Sequence, residues 1–403
     1  FNSYMELNLD KYPVAVLRNR LQEIKRHCTE KALVERALDH PIGTDRLETM
    51  IAGKSSICII TSDHTRPIPS RITMKILLKR IRSSNPDIKV VILIATGVHR
   101  SSTREELINK FGEEIVEHEN IIMHQSTKDE VMVDLGILPS GGRCLINRYA
   151  LEADFLISEG FIEPHFFAGY SGGRKSILPG IASKTTVLAN HCGKFIADAS
   201  ARAGNLEDNP IHRDMLYAAK ESGLSFILNV VLDEEKHIIN AFAGDFNKAH
   251  QTGCDWLSNY VQVPKTEGDI IVVGNGGYPL DQNIYQSVKG MTAAEVCCRE
   301  GGVIVMVASC SDGHGGDAFY KSVKECESPS ELLQRIKVIP ADETEPDQWE
   351  YQILARILKR FTVIIVTQHC DPALITDMKM LHAFNLDQAM SKAGVIIGKD
   401  EPD

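Results

Sequence analysis

Nothing in this sequence is long and apolar enough to cross a membrane as a helix. The longest apolar runs, such as KVVILIAT at 89–96, have the length of a buried strand, far short of the roughly 20 residues a membrane span needs. Excess positive charge is missing too. The formal net charge is −10, which argues against a general nucleic-acid binder, whose phosphate contacts need a basic face. It leaves open a small anionic substrate held by one or two local cations. The ten cysteines are scattered, with no CxxC pair among them, so buried, reduced thiols are expected. There is no HExxH and no close two-histidine helix pair, which removes support for a zinc hydrolase. No secretory signal is legible at the start, and a cytoplasmic location is expected.

Two phosphate-binding fingerprints are incomplete. GYSGGRKS, 169–176, nearly matches G-x-x-x-x-G-K-[ST], but Arg174 stands where the last glycine is needed, which disfavours a nucleoside triphosphate. The loop could still hold one anionic group, or be a glycine turn with a solvated basic pair. In GNGGYP, 274–279, Pro279 replaces the last glycine of the dinucleotide pattern, so a nicotinamide-nucleotide reading is weak.

What is present is a 403-residue chain, 43% hydrophobic and 24% charged. That composition describes a globular protein, and that length predicts two domains. Short Val/Ile runs alternate with helix-like stretches. SICIIT (56–61), KVVILIAT (89–96), ADFLISEG (153–160), SFILNVVLD (225–233), GDIIVVGNGG (268–277), GGVIVMVAS (301–309), RFTVIIVT (360–367) and AGVIIG (393–398) read as strands. Residues 69–84, 101–117 and 328–336 read as helices. Continuous apolar runs are typical of parallel strands buried on both faces. The expected class is α/β: two domains, each with a mostly parallel sheet flanked by helices, and an active site in the interdomain cleft. The polar VQVPKTEG, 261–268, divides a domain at 1–262, joined by 386–403, from one at 263–385.

Polar constellations sit where strands end, the place where open α/β sheets bind ligands. Asp63, His64, Thr65 and Arg66 follow the first strand. Arg66 offers a planar fork for a carboxylate, though the same residues suit a helix cap with an ion pair. His99 projects from the turn after Gly97, ahead of a helix capped by Ser101, Ser102 or Thr103. Taken alone it reads as a turn histidine, and His314 in SCSDGHGG as loop structure. EPHFFAGYSGGRKSILPG, 163–180, carries His165, Gly172, Gly173 and Lys175, and LANHCG carries His191. Gln286 and Lys289 are three apart and share one helical face.

Together these pieces resemble the nickel-dependent lactate racemase family. SDHTRP, ATGVHR, EPHFFAGYSGGRKSILPG, LANHCG and YPLDQNIYQSVKG come in that family's order and spacing over residues 63–290, and DQW at 347–349 extends the match. The resemblance implies a nickel-pincer nucleotide, pyridinium-3,5-bisthiocarboxylic acid mononucleotide, joined as a thioamide to Lys175. It implies one protein ligand to nickel, His191, the cofactor supplying the other donors. It implies His99 and His165 as the acid/base pair and Arg66, Tyr285, Gln286, Lys289 and Trp349 around the substrate. Asp63, Thr65, Gly172 and Gly173 are implied at the cofactor. The implied reaction is inversion at C2 of a lactate-like 2-hydroxy acid by reversible hydride transfer through a 2-keto acid. The same chemistry on malate, a longer 2-hydroxy acid or an aldonate is an alternative, and a non-catalytic small-anion binder is another. The family's cofactor is built and installed by separate proteins, so material from a host lacking them is expected to be bare at Lys175. A histidine, titrating near neutrality, suits exchange of the hydroxyl proton.

Overall fold

The computed structural model describes residues 4–8, 12–25 and 27–398. They divide into two compact units. One comprises Asn19–Asn190 and Asp198–Gln262; the other comprises His191–Ala197, the stretch from Val263 onward, and the described residues before Asn19.

The first unit is built on a six-stranded sheet in the order Ile238–Gly244, Leu224–Leu232, Phe155–Phe161, Ser56–Ser62, Lys89–Ala95, Asn120–Met123. All neighbours are parallel except the Leu224–Leu232/Ile238–Gly244 hairpin. Strand Ser56–Ser62 is buried along its middle on both faces, as its unbroken apolar run requires. One face meets helices Glu30–Asp39 and Ser70–Ser84 through Val34, Leu38, Met74, Leu77 and Ile81. Chain order reverses between Ser56–Ser62 and Phe155–Phe161, so the loops leaving these two strands flank the switch point where such sheets bind ligands.

The second unit carries a four-stranded, all-parallel sheet in the order Gly268–Gly274, Cys298–Val307, Thr362–Val366, Leu381–Ala383. All ten cysteines are free thiols.

Several expectations need correction. AGVIIG is not a strand: it lies in helix Leu386–Ile397, capped by the Asn385 side chain on the Gln388 N–H, with the helix continuing almost to Gly398. Leu386, Ala389, Met390 and Ala393 face inward at helical spacing while Val395 is 81% exposed. A short apolar run cannot tell a strand from one flank of a helix. This helix packs on the second unit's own sheet through Leu386, Ala389 and Ala393 against Val303, Val305 and Ile364. So the described part of 386–403 does not return to the first unit; 399–403 lie outside the described residues. The helix expected over 101–117 breaks at Gly112, whose φ of 91° ends Arg104–Phe111 and starts Glu113–His118.

His191, assigned with the first domain, groups with the second unit. Its segment docks on helices Pro329–Lys337 and Gln348–Leu358. The Gln352 amide donates to the Gly193 carbonyl at 2.7 Å, and a side chain at Gly193 would come within 2.7 Å of Ile336.

Candidate active site

Three strand ends of the first unit build one group of polar side chains. After Ser56–Ser62, the buried Asp63 carboxylate accepts from the Thr65 amide (3.0 Å) and hydroxyl (2.6 Å) through one oxygen. Its other oxygen lies 2.8 Å from His99 Nδ1. Burial alone would raise the Asp63 pKa, but the bonds from His99 and Thr65 and the nearby Arg66 charge prevail and hold it below the ordinary 3.8. Asp63 is therefore an anion. It accepts a hydrogen bond from His99 Nδ1–H, which in the neutral ring leaves Nε2 with its lone pair, on an imidazole 43% exposed. Arg66 stands exposed at the end of the same turn. His64 is engaged elsewhere, with Ser102 at 2.9 Å and Glu106 at 3.4 Å.

The turn that presents His99 is pinned to the C-terminal end of the lysine loop: the Gly97 N–H donates to the Gly180 carbonyl at 3.0 Å, and the Gly180 N–H to the Lys175 carbonyl at 3.1 Å. His165 lies on a two-residue strand, Pro164–His165, paired antiparallel with Gly169–Tyr170. The Ala168 N–H faces His165 Nδ1 at 3.3 Å. A backbone N–H can only donate, so the ring proton of the neutral form sits on Nε2, opposite to His99. The Phe167 ring lies 4.6 Å from the His165 ring and 5.8 Å from Lys175 Nζ, centroid distances that bring both side chains around one aromatic.

Lys175 belongs to a single turn of 3-10 helix, Gly173–Ser176, preceded by Gly172 with φ 77°. A Cβ on Gly172 would stand 2.6 Å from the Asn229 side chain and 2.8 Å from the Phe161 carbonyl; one on Gly173 would meet His250 at 2.7 Å. These two glycines let the lysine turn lie flat against the sheet. Arg174 points inward and is fully buried. It donates to the carbonyls of Tyr170 (2.8 Å), Gly172 (3.3 Å) and Ala168 (2.7 Å), and to His212 Nδ1 (2.9 Å). Burial lowers it to about 10 and, with the adjacent guanidinium, lowers His212 to about 3, so the arginine stays charged and the histidine neutral. Arg174 is therefore neither a solvated cation nor a donor available to an anionic ligand in this loop. Its donors are committed to folding the loop that presents Lys175.

In the second unit, Asn283 caps helix Ile284–Ala294 by accepting from the Gln286 N–H. Lys289 Nζ donates to Gln286 Oε1 at 2.6 Å. The Tyr285 hydroxyl donates to Asp347 at 3.3 Å. Burial, together with the neighbouring Glu350 and Asp347 carboxyl groups, drives its pKa far up, so it is a neutral donor. The His191 ring, 5% exposed, meets Trp349 edge-on at 5.3 Å between centroids. His314 stacks on Tyr320 at 4.8 Å and accepts from the Gly316 N–H, as loop structure.

Sequence comparison decides the family. Residues 2–204 match the lactate racemase N-terminal domain and residues 263–402 the lactate racemase C-terminal domain. The chain belongs to the lactate racemase family. It is 57% identical over 365 residues to the lactate racemase of Lactiplantibacillus plantarum, covering 91% of this chain and 86% of that one. It is 54% identical over 385 residues to the lactate racemase of Thermoanaerobacterium thermosaccharolyticum, covering 96% and 90%. The structure of the lactate racemase apoprotein from that second organism superposes with a TM-score of 0.94 at 52% identity, covering 98% of this chain and 93% of that one.

Within this lactate racemase fold, the first unit holds Asp63, Thr65, Arg66, His99, His165, Gly172, Gly173 and Lys175, and the second holds His191, Tyr285, Gln286, Lys289 and Trp349. The residues fit a covalently tethered polar group. Lys175 is half-buried over a glycine turn that packs on strands Ser56–Ser62 and Phe155–Phe161. Two buried hydroxyls, Ser62 Oγ and Ser158 Oγ, have no hydrogen-bond partner. By strand alternation they share a face with Gly160, and a Cβ there would be 3.7 Å from Gly172. Orphaned buried hydroxyls on the sheet face beside the glycine turn that carries Lys175 suit a ligand rich in polar atoms. Among the described residues, the three-residue group with metal-ligand geometry is Asp233, Glu235 and His237 on a hairpin turn, not at His191. A metal at His191 would take its other donors from a bound molecule.

Two participants were not legible beforehand. Arg174 looked like a surface cation because a basic pair in a glycine loop normally is one. Glu350 follows Trp349 in sequence, and only the structure shows it buried beside the substrate-binding candidates.

Proposed function

We propose that this protein is a lactate racemase acting through a nickel-pincer nucleotide on Lys175, and that it inverts C2 by removing and returning hydrogen. The observation that carries this reading is the pairing of two histidines in opposite proton states around the lysine loop. Asp63 holds His99 with Nε2 unprotonated, and the Ala168 N–H holds His165 with its proton on Nε2. One imidazole is set to accept the substrate's hydroxyl proton, and the other points an Nε2–H at the oxygen and can return a proton once the ring is protonated, which is what a reaction symmetric between enantiomers needs. An anion-binding protein without chemistry has no use for such a pair.

Lys175 and His191 would hold the cofactor and its nickel. When bound, that group supplies an electrophilic centre able to take the C2 hydrogen with its electron pair, avoiding a carbanion beside a carboxylate. The remaining work belongs to the chain. His99 takes the hydroxyl proton as the carbon–oxygen double bond forms, and Asp63 stabilises the resulting imidazolium. Arg66, Gln286 and Lys289 hold the carboxylate while the planar 2-keto acid presents its other face. His165, once it has taken a proton from solvent and become an imidazolium, gives its Nε2 proton to the oxygen as hydrogen returns to carbon, producing the opposite enantiomer. His99 returns its proton to solvent, so the cycle closes and nothing is consumed.

A panel of pure enantiomers of lactate, malate and an aldonate tests the reading on protein from a host that makes the cofactor. Chiral chromatography is expected to show lactate approaching equal amounts of both forms. Inversion of malate or the aldonate with lactate untouched would reassign the substrate; inversion of none would favour the binding-protein alternative.

A further inference from the structure

Glu350 is fully buried, and neither of its carboxyl oxygens has a hydrogen-bond partner. It occupies the third position of helix Gln348–Leu358. A glutamate there ordinarily turns back to cap the first turn, but this one makes no such bond. The N-cap residue, Asp347, has a left-handed φ of 62°, and the Gln348 side chain reaches back to the Glu345 N–H instead. Glu350 instead lies within electrostatic reach of Lys289 and Tyr285 on helix Ile284–Ala294 and of Asp347.

We propose that Glu350 is a positioning residue for the substrate carboxylate: it stays a neutral acid while the anion sits at Lys289, and when ionised it claims that ammonium and weakens anion binding. The proposal rests on reading Lys289 as a carboxylate anchor. Burial without partners strongly penalises an ionised carboxylate. Burial and the Asp347 charge push the Glu350 pKa up to about 8 although Lys289 pulls it down. A bound substrate brings a second anion to the same lysine. Its carboxyl is the stronger acid, so the proton goes to Glu350. Substrate binding and protonation of Glu350 are therefore reciprocal.

The charged groups on elements packed against this helix are paired with other residues or exposed. Lys324 of helix Asp317–Glu325 pairs with Asp377 at 2.7 Å, and Asp317 is 89% exposed. Arg335 of helix Pro329–Lys337 lies near Tyr351, whose hydroxyl donates to Glu345 at 2.8 Å. Lys194 of the short helix Gly193–Ile196 is exposed. Further along its own helix, Arg356 pairs with Glu295.

The sign follows directly. The raised pKa makes the neutral, binding-competent form complete below about pH 7, and it is lost as pH rises through about 8. In the loaded enzyme, KM for L-lactate is expected to be flat in the acid range and to rise about tenfold per pH unit above the Glu350 pKa, an effect on KM rather than kcat. Glu350→Gln, neutral at every pH, removes that rise. Wild-type enzyme titrated calorimetrically with L-lactate at pH 9, in two buffers of different ionisation enthalpy, takes up nearly one proton per lactate bound. The same KM rise in E350Q, or lactate binding at pH 9 without proton uptake, overturns the proposal. Lactate that neither binds nor turns over at any pH defeats the lactate reading itself, whereas an active enzyme with a flat KM profile defeats only the role of Glu350.

Discussion

Lys175→Arg is expected to abolish racemisation and, in the same preparation, to lack the covalent mass increment expected on the wild-type chain. Arginine keeps the positive charge and nearly the length of lysine, so a merely electrostatic role would survive the exchange. A guanidinium stays protonated and is no nucleophile, so it cannot form an amide-type bond. The turn itself is expected to persist. Its backbone bonds, Lys175 N–H to Gly172 and Gly180 N–H to the Lys175 carbonyl, do not involve the side chain, and Arg174 and the two glycines still shape it. Intact mass spectrometry, nickel content and thermal stability on matched preparations read the outcome. Retained activity, or an unchanged mass increment, would remove Lys175 from its assigned role.

Alanine at His99 is expected to lower kcat by about 10²–10⁴-fold, the usual contribution of a positioned acid/base group, with stability nearly unchanged because the ring is 43% exposed. Asp63→Asn is expected to follow it closely. An amide at that position can offer an N–H to Nδ1, which moves the imidazole proton to Nε2 and removes the lone pair that accepts the hydroxyl proton. The pH dependence separates this pair from Glu350. The Asp63 pKa is depressed, so its orienting bond and the stability it contributes are complete above its ordinary 3.8 and are lost only as pH falls through the lower folded value. Asp63 therefore imposes no limit near neutrality; the alkaline limit belongs to Glu350. A rate at neutral pH equal to wild type in H99A would contradict the acid/base role.

Much of this was legible because strand ends concentrate chemistry. The runs at 56–61, 89–96 and 153–160 are buried parallel strands in the structure, displaced by at most a residue or two at their ends. The polar residues after them stand at the sheet's carboxyl edge as that pattern demands. The lysine loop was visible as a motif, but its physics was not. In sequence, Arg174 looks interchangeable with a solvent-facing cation, and only the three-dimensional arrangement of three carbonyls and His212 turns it inward. Edge strands such as Asn120–Met123, four residues long and only partly buried, lack the unbroken apolar run that marks a central strand. AGVIIG has that run and is helical, because the Asn385 cap and the Leu386, Ala389, Ala393 stripe outweigh the β-branched residues at its end. Glu350 could not have been singled out, since a glutamate in a helix's first turn is ordinarily a solvated cap residue.

The central claim is that the hydrogen on C2 leaves with its electrons and comes back to the same carbon. L-Lactate deuterated at C2, incubated with loaded enzyme in ordinary water and resolved by chiral chromatography with mass detection, tests it most directly. The account predicts D-lactate that keeps its deuterium. D-Lactate carrying hydrogen from solvent would mean proton abstraction instead, and would contradict the mechanism even with racemisation intact.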